Sequence, residues 1–175
     1  MIRLTLPPAI SANRYWATRI VTPKGGGRPL AMTYVTPEAK QYKESVAWLL
    51  KAKGVRNPMA GRVQLDILMY PHRPLDYKKR MRTMGDDWDT TVQRIDADNC
   101  IKVVADSLKD LAFGDDKCIS RVTCEVMEPD GREACVIVTI SPYVRAARAE
   151  QLALLPPASP QSAGLRIPED ETLPF

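Results

Sequence analysis

Residues 94–112 read Arg-Ile-Asp-Ala-Asp-Asn-Cys-Ile-Lys-Val-Val-Ala-Asp-Ser-Leu-Lys-Asp-Leu-Ala. Ile101, Val104, Ala105, Leu108 and Leu111 recur at helical spacing, with Lys102, Asp106 and Lys109 on the other side, so an amphipathic helix is expected over Ala97–Ala112. Asp98 stands where an N-cap side chain would cover the first free amides. Asp96 and Asp98 lie two residues apart, which in extended backbone sends both side chains to one face. Lys102 follows Asp98 by one helical turn on the same side. Two acceptor-only carboxylates with an ammonium group nearby can hold a hard cation such as Mg²⁺ against a phosphate. A bare Asp-x-Asp also has a plainer reading, a capped helix after a polar turn. Asn99, Lys102 and the downstream pair Asp115-Asp116 tip the balance toward chemistry.

Outward from this stretch, the chain alternates strands and helices. Ile2–Leu6 reads as a strand ended by Pro7-Pro8, and Ala9–Trp16 as a loop or turn. Lys24-Gly-Gly-Gly-Arg28 is a basic hairpin tip or mobile loop; no Walker spacing follows it. Leu30–Val35 reads as a second strand. Thr36-Pro37-Glu38 then opens a helix whose stripe is Ala39, Tyr42, Val46, Leu49 and Leu50, stopped at Gly54. Val63, Leu65, Ile67 and Met69 alternate as a central strand. From Pro71 to Gln93 no periodicity survives. This long connection carries Lys78-Lys79-Arg80 and Arg82, then Asp86-Asp87-Trp88-Asp89, an acidic cluster without the framework of a metal site. Ile119, Val122, Cys124 and Val126, then Ala134, Val136, Val138 and Ile140, flank the turn Glu128–Gly131 and read as a β-hairpin. The expected fold is α/β (α+β): a mixed sheet of about five strands with two main helices, over residues 1–143. The Pro- and Ala-rich segment 144–175 is expected to form a short helix near 144–154 and then a disordered tail.

Composition narrows the chemistry. At 175 residues the chain has room for one domain with a real core. No apolar run approaches the roughly 20 residues that span a bilayer, and the N-terminal stretch lacks a basic segment followed by an apolar one. A cytoplasmic protein is therefore expected. Cys100, Cys118, Cys124 and Cys135 form no Cys-x-x-Cys pair and read as free thiols in a reducing compartment. With His72 as the single histidine, a Cys/His zinc site and nucleases with a histidine general base are disfavoured. Chemistry must then rest on carboxylates, lysine and a metal. Charge is lopsided along the chain: residues 1–80 carry 15 Lys/Arg against 4 Asp/Glu, and residues 81–175 carry 10 against 17. A basic half that attracts polyanions and an acidic half that can hold metal suit an enzyme of nucleic acids, unless folding interleaves the two.

With this order of elements in place, the chain resembles the RusA family of Holliday-junction resolvases (crossover junction endodeoxyribonucleases). The matching residues are Leu4-Thr-Leu-Pro-Pro with Asn13-Arg14-Tyr15, then Asp96-Ala-Asp98-Asn99-Cys-Ile-Lys102, then Gly114-Asp115-Asp116. The resemblance runs from about residue 1 to 141; stretch 77–93 and the tail look longer than the family core. It implies a homodimer and Mg²⁺-dependent cutting of four-way DNA junctions, with Mn²⁺ as a substitute metal. It also implies that Asp96, Asp98 and Asp116 are the catalytic, metal-holding acids and Lys102 the catalytic lysine. A helix from Asp98 to about Leu111 spans roughly 20 Å, so Asp116 starts at its far end. Either the chain doubles back or a two-fold partner supplies Asp116.

Arg14, Arg19, Lys24, Arg28, Lys78, Lys79, Arg80 and Arg82 are candidate phosphate contacts, which read charge and shape, not base identity. Asn13 and Tyr15 join the DNA-binding set; Tyr15 and Trp16 can stack on bases, unless they serve as core. Two competing readings stay open, a nuclease for other branched DNA and a non-catalytic DNA-binding or packaging protein.

Overall fold

The computed structural model describes residues 1–145. Contacts divide the chain into two units, Met1–Tyr143 and Val144–Phe175. Nearly all of the helix expected at 144–154, and the tail beyond it, lie outside the described residues.

The fold is α+β. Strand β4 (Val63–Tyr70) sits inside a four-stranded mixed sheet of order β1-β6-β4-β5. β1 is Ile2–Leu6, β5 is Ile119–Val126 and β6 is Cys135–Pro142. β6 runs antiparallel to both β1 and β4, while β4 and β5 are parallel. The alternation in β4 buries Val63, Leu65, Ile67 and Met69, as a strand with one face on the core requires. Leu4 and Leu6 of β1 and Val136, Val138 and Ile140 of β6 join that face.

The expected hairpin of β5 with β6 does not form, because β4 lies between them. Alternation marks a strand and a buried face but does not name its neighbour. The connection bridges the end of β4 instead: the Met127 amide donates to the Met69 carbonyl at 2.8 Å. Arg73 donates to the Pro129 carbonyl at 2.8 Å and lies so close to Gly131, at φ +85°, that a Cβ there would meet its guanidinium at 2.9 Å.

The sheet count also differs from the expected five strands. A separate two-stranded ribbon pairs β2 (Trp16–Val21) with β3 (Leu30–Val35), and Lys24 to Gly27 lie at its turn. The sequence carries no clear strand signal at β2, because Thr18 and Arg19 interrupt its apolar pattern. The segment before it contains one helical turn, α1 (Ala12–Tyr15).

Helix α2 (Pro37–Ala52) begins as expected: Thr36 caps it, its hydroxyl accepting from the Ala39 amide at 3.2 Å, with Pro37 at the first position. Ala39, Tyr42, Val46 and Leu50 face the core. The stretch 71–93 is not one long loop, because its residues 77–91 are helical. It holds α3 (Tyr77–Met84) and a 3-10 helix, Gly85–Thr91. α3 buries no residue, so no apolar period betrays it. Trp88 anchors the segment instead: it is 2% exposed, and its indole N–H donates to Glu128 Oε1 at 3.0 Å.

Candidate active site

Parallel neighbours β4 and β5 require a crossover, and helix α4 (Ala97–Leu108) supplies it. Such a helix starts at the C-terminal ends of the strands it joins and finishes at their N-terminal ends. It buries Cys100, Val103, Val104, Ser107 and Leu108 against the core. This face is turned from the expected one, leaving Ile101 and Ala105 half-buried. Ser107 tolerates its buried position because its hydroxyl donates to the Val103 carbonyl at 2.7 Å. Burial pushes the Cys100 thiol up to about 12, which makes it an inert core thiol.

The helix starts earlier than Asp98 and ends before Ala112. Asp96, in extended backbone, occupies the N-cap position, and Asp98 lies in the first turn. Asp98 is therefore not the cap, and the Asp96 side chain makes no capping hydrogen bond. Both side chains are exposed, and neither joins an ion pair among the described residues. Two carboxylates without counter-ions at the positive end of a helix sit where its dipole favours negative charge and stay free to take a cation. Lys102, also exposed, follows one turn after Asp98.

At the far end Asp110 adopts φ 64°, a left-handed turn that Asp accommodates better than most residues. The chain reverses there and buries Phe113 completely. That reversal sets Asp115 and Asp116 beside the last turn of α4, where Lys109 Nζ lies 3.3 Å from Asp115 and 3.7 Å from Asp116. Asp115 accepts from the Lys117 amide at 3.1 Å; that bond, and then Lys109, hold its carboxyl below the usual carboxylate range.

In the sequence Asp106 reads as a solvent-facing residue of the helix and not as part of a site. It is half-buried, and its Oδ2 is fully enclosed without a hydrogen-bond partner. Burial, then the charge of Asp116, push its carboxyl up, while Lys102, Lys109 and Lys43 pull it down. The signal was present as an Asp98–Lys102–Asp106 ladder at successive helical turns.

Within one chain these acids do not converge. Among the described residues no group of three or more His, Cys, Asp or Glu side chains is close enough to share an ion. Asp116 stands near Asp106 and Lys109, and Asp106 lies two turns, roughly 12 Å, along the helix from Asp98. Asp96 and Asp98, two residues apart at the start of α4, are the carboxylates of this end of the helix that could be offered to a divalent ion.

A family model described as endodeoxyribonuclease RusA matches residues 6–141. The chain belongs to the RusA family. Among curated proteins none matches the chain at a significant level. The RusA match takes in α1 through β5 whole, with the site just described, and stops before the second unit. Membership makes the chain a DNA-cutting nuclease. Among the described residues no helix is long and apolar enough to cross a membrane.

The candidate DNA-contacting residues of this RusA chain fall into three groups. Asn13 and Arg14 are exposed on α1, where Arg14 pairs with Glu38 at 2.9 Å. Tyr15 is 2% exposed and tilts against Trp16 in the core, which removes it from any stacking surface. Lys24 and Arg28 are exposed at the ribbon's turn, and Arg19 lies over the Tyr34 ring at 5.6 Å. Lys78, Lys79 and Arg82 are exposed on α3. Arg80 is instead committed within the protein: it bonds Asp76 at 2.9 Å and both the Thr91 carbonyl and hydroxyl.

Proposed function

We propose that the chain is a Mg²⁺-dependent endonuclease that nicks four-way DNA junctions to resolve recombination intermediates, with Mn²⁺ able to substitute. It acts as a homodimer. Each site draws Asp96, Asp98 and Lys102 from one protomer and Asp116 from the partner subunit. The observation that carries this reading is the pair of carboxylates without counter-ions, Asp96 and Asp98, at the start of a lysine-bearing helix in a RusA-family chain.

The residues divide the work by their chemistry. Asp96 and Asp98 hold the ion and present it to a backbone phosphate. A divalent ion there supplies a water of lowered pKa and neutralises charge on the phosphate. Lys102, one turn from Asp98, puts an ammonium group beside the negative charge that grows as the P–O bond breaks. Asp116 serves the neighbouring protomer, because its own α4 separates it from Asp96 and Asp98 while its carboxylate stays exposed. Resolving a four-way junction takes two nicks related by two-fold symmetry, which a dimer with isologous contacts delivers. Exposed cations of α1, α3 and the β2–β3 ribbon add salt-sensitive, sequence-independent affinity for the phosphate backbone.

The test is incubation with a synthetic four-way junction and a linear duplex, in Mg²⁺ or in EDTA. Paired, symmetric nicks in the junction with Mg²⁺ alone are expected. Tight binding with no nick under any divalent metal would leave a DNA-binding protein without catalysis.

A further inference from the structure

A cleft of about 330 Å³ opens beside the segment that delivers Asp96, at the end of β4 and the start of β6. Tyr70, Ile95 and Ala134 are among its apolar walls, and His72, Gln93 and Arg94 are exposed polar groups lining it. No acidic residue lines it. The roles assigned above to the acids and the lysine leave this cleft unused. Apolar walls with a few polar groups characterise small-ligand sites, and its volume lies at the lower end of their range of about 300–1,000 Å³. It has room for one small planar ring system.

We propose that this cleft receives a nucleobase of the substrate DNA, the base next to the phosphate held at Asp96 and Asp98. The proposal rests on the nuclease reading of that site. Arg94 and Ile95 line the cleft and Asp96 follows directly, so cleft and carboxylate are separated by at most two residues, roughly 7 Å of chain. A base is the apolar, planar part of a nucleotide that lies within reach of its own phosphate. Gln93 offers both a donor and an acceptor, and Arg94 adds donors, the equipment for reading a Watson–Crick edge. The absence of acids in the wall suits a polyanion. Extruding a base costs least where pairing is already disturbed, and the crossover of a junction is such a place. The cleft thereby selects which phosphate at the crossover is cut.

The experiment uses the full chain and a set of four-way junctions that differ only in an abasic site stepped through positions flanking the crossover. Nicking is measured for the wild type, for Ala134→Met, which fills the cleft, and for Gln93→Ala, which empties it of one reader. Binding in EDTA and thermal unfolding are followed in parallel. For the wild type, the abasic site at one position beside the cut should lower nicking about tenfold, the scale of one stacked base. Ala134→Met should lose about as much on intact junctions, bind within about twofold of wild type, and show no further loss from the abasic site. Gln93→Ala should spread its nicks over more positions than the wild type.

Wild-type positions, rates and abasic response in both variants would overturn the proposal. Should Ala134→Met fail to fold, the abasic scan and Gln93→Ala decide: no abasic penalty and an unchanged nick pattern overturn it. A wild type that nicks no junction in any metal defeats the nuclease reading. Nicking that ignores the cleft defeats only this one.

Discussion

Asp96 and Asp98 stand exposed at the start of α4 without a counter-ion, whereas Asp116 has Lys109 3.7 Å away. An unpaired carboxylate contributes little to folding, so its removal should tell on chemistry alone. Asp96→Asn and Asp98→Asn should each abolish nicking while junction binding in EDTA holds or tightens, since a charge repelling phosphate is gone. Gel-shift and nicking assays on the same preparations check this. Lys102→Ala should cut turnover sharply with an unchanged melting temperature, because Lys102 is exposed and forms no ion pair among the described residues. Asp106 answers to pH. Its carboxyl titrates above the ordinary carboxylate value, first through burial and then through Asp116, against the pull of Lys102, Lys109 and Lys43. The folded state therefore keeps this proton after the unfolded state has lost it, and stability falls as pH rises from the unfolded value through the folded one. Asp106→Asn should match or exceed the wild-type melting temperature at neutral pH, with the gap closing in acid below both values. The spacing of Asp96, Asp98 and Lys102 was legible in the sequence because the helix is local and its period is fixed. The enclosure of Asp106 was not, because it depends on which residues pack over that side of α4.

The segment 77–91 shows what periodicity misses at the scale of an element. Its helix buries nothing, and one aromatic ring, Trp88, holds it down. Trp88→Ala should cost about 3–5 kcal/mol through the lost burial and the cavity left behind. Denaturant unfolding gives the loss, and faster proteolysis within 77–91 would locate it. α2 was readable from Thr36-Pro37 to Gly54, because a cap, a proline and an apolar stripe are all local signals. β2 was not, since a six-residue strand with exposed polar positions carries little pattern. Pairing partners were equally hidden, as the unformed β5–β6 hairpin shows. The β2–β3 ribbon presents Lys24 and Arg28 at its turn, away from any ion pair among the described residues. Lys24→Ala with Arg28→Ala should weaken junction binding uniformly across sequences and lower the slope of log affinity against log salt by about 2. An unchanged slope would place the ribbon outside the DNA contact.

Over the whole unit, the split between a basic first half and an acidic second half does not become two faces. The sheet order β1-β6-β4-β5 alternates strands from the two halves, so β1 pairs with β6 and β4 lies between β6 and β5. Separate basic elements, α1, α3 and the ribbon, take the place of a basic half. The same topology keeps Asp116 away from Asp96 and Asp98, because a crossover helix must begin and end at opposite ends of the parallel strands it joins. Sequence left open whether the chain doubles back or a partner completes the site, and the observed reversal carries Asp116 back only to the last turn of α4, beside Lys109 and Asp106. Mixing subunits tests this directly. A chain carrying Asp96→Asn and Asp98→Asn is unfolded and refolded together with a chain carrying Asp116→Asn, each being inactive alone. Heterodimers then contain one site with all three acids intact, and nicking should return to about a quarter of the wild-type level, with single nicks per junction. A mixture as inactive as its parents, with heterodimers demonstrated by mass, would contradict a site shared between subunits.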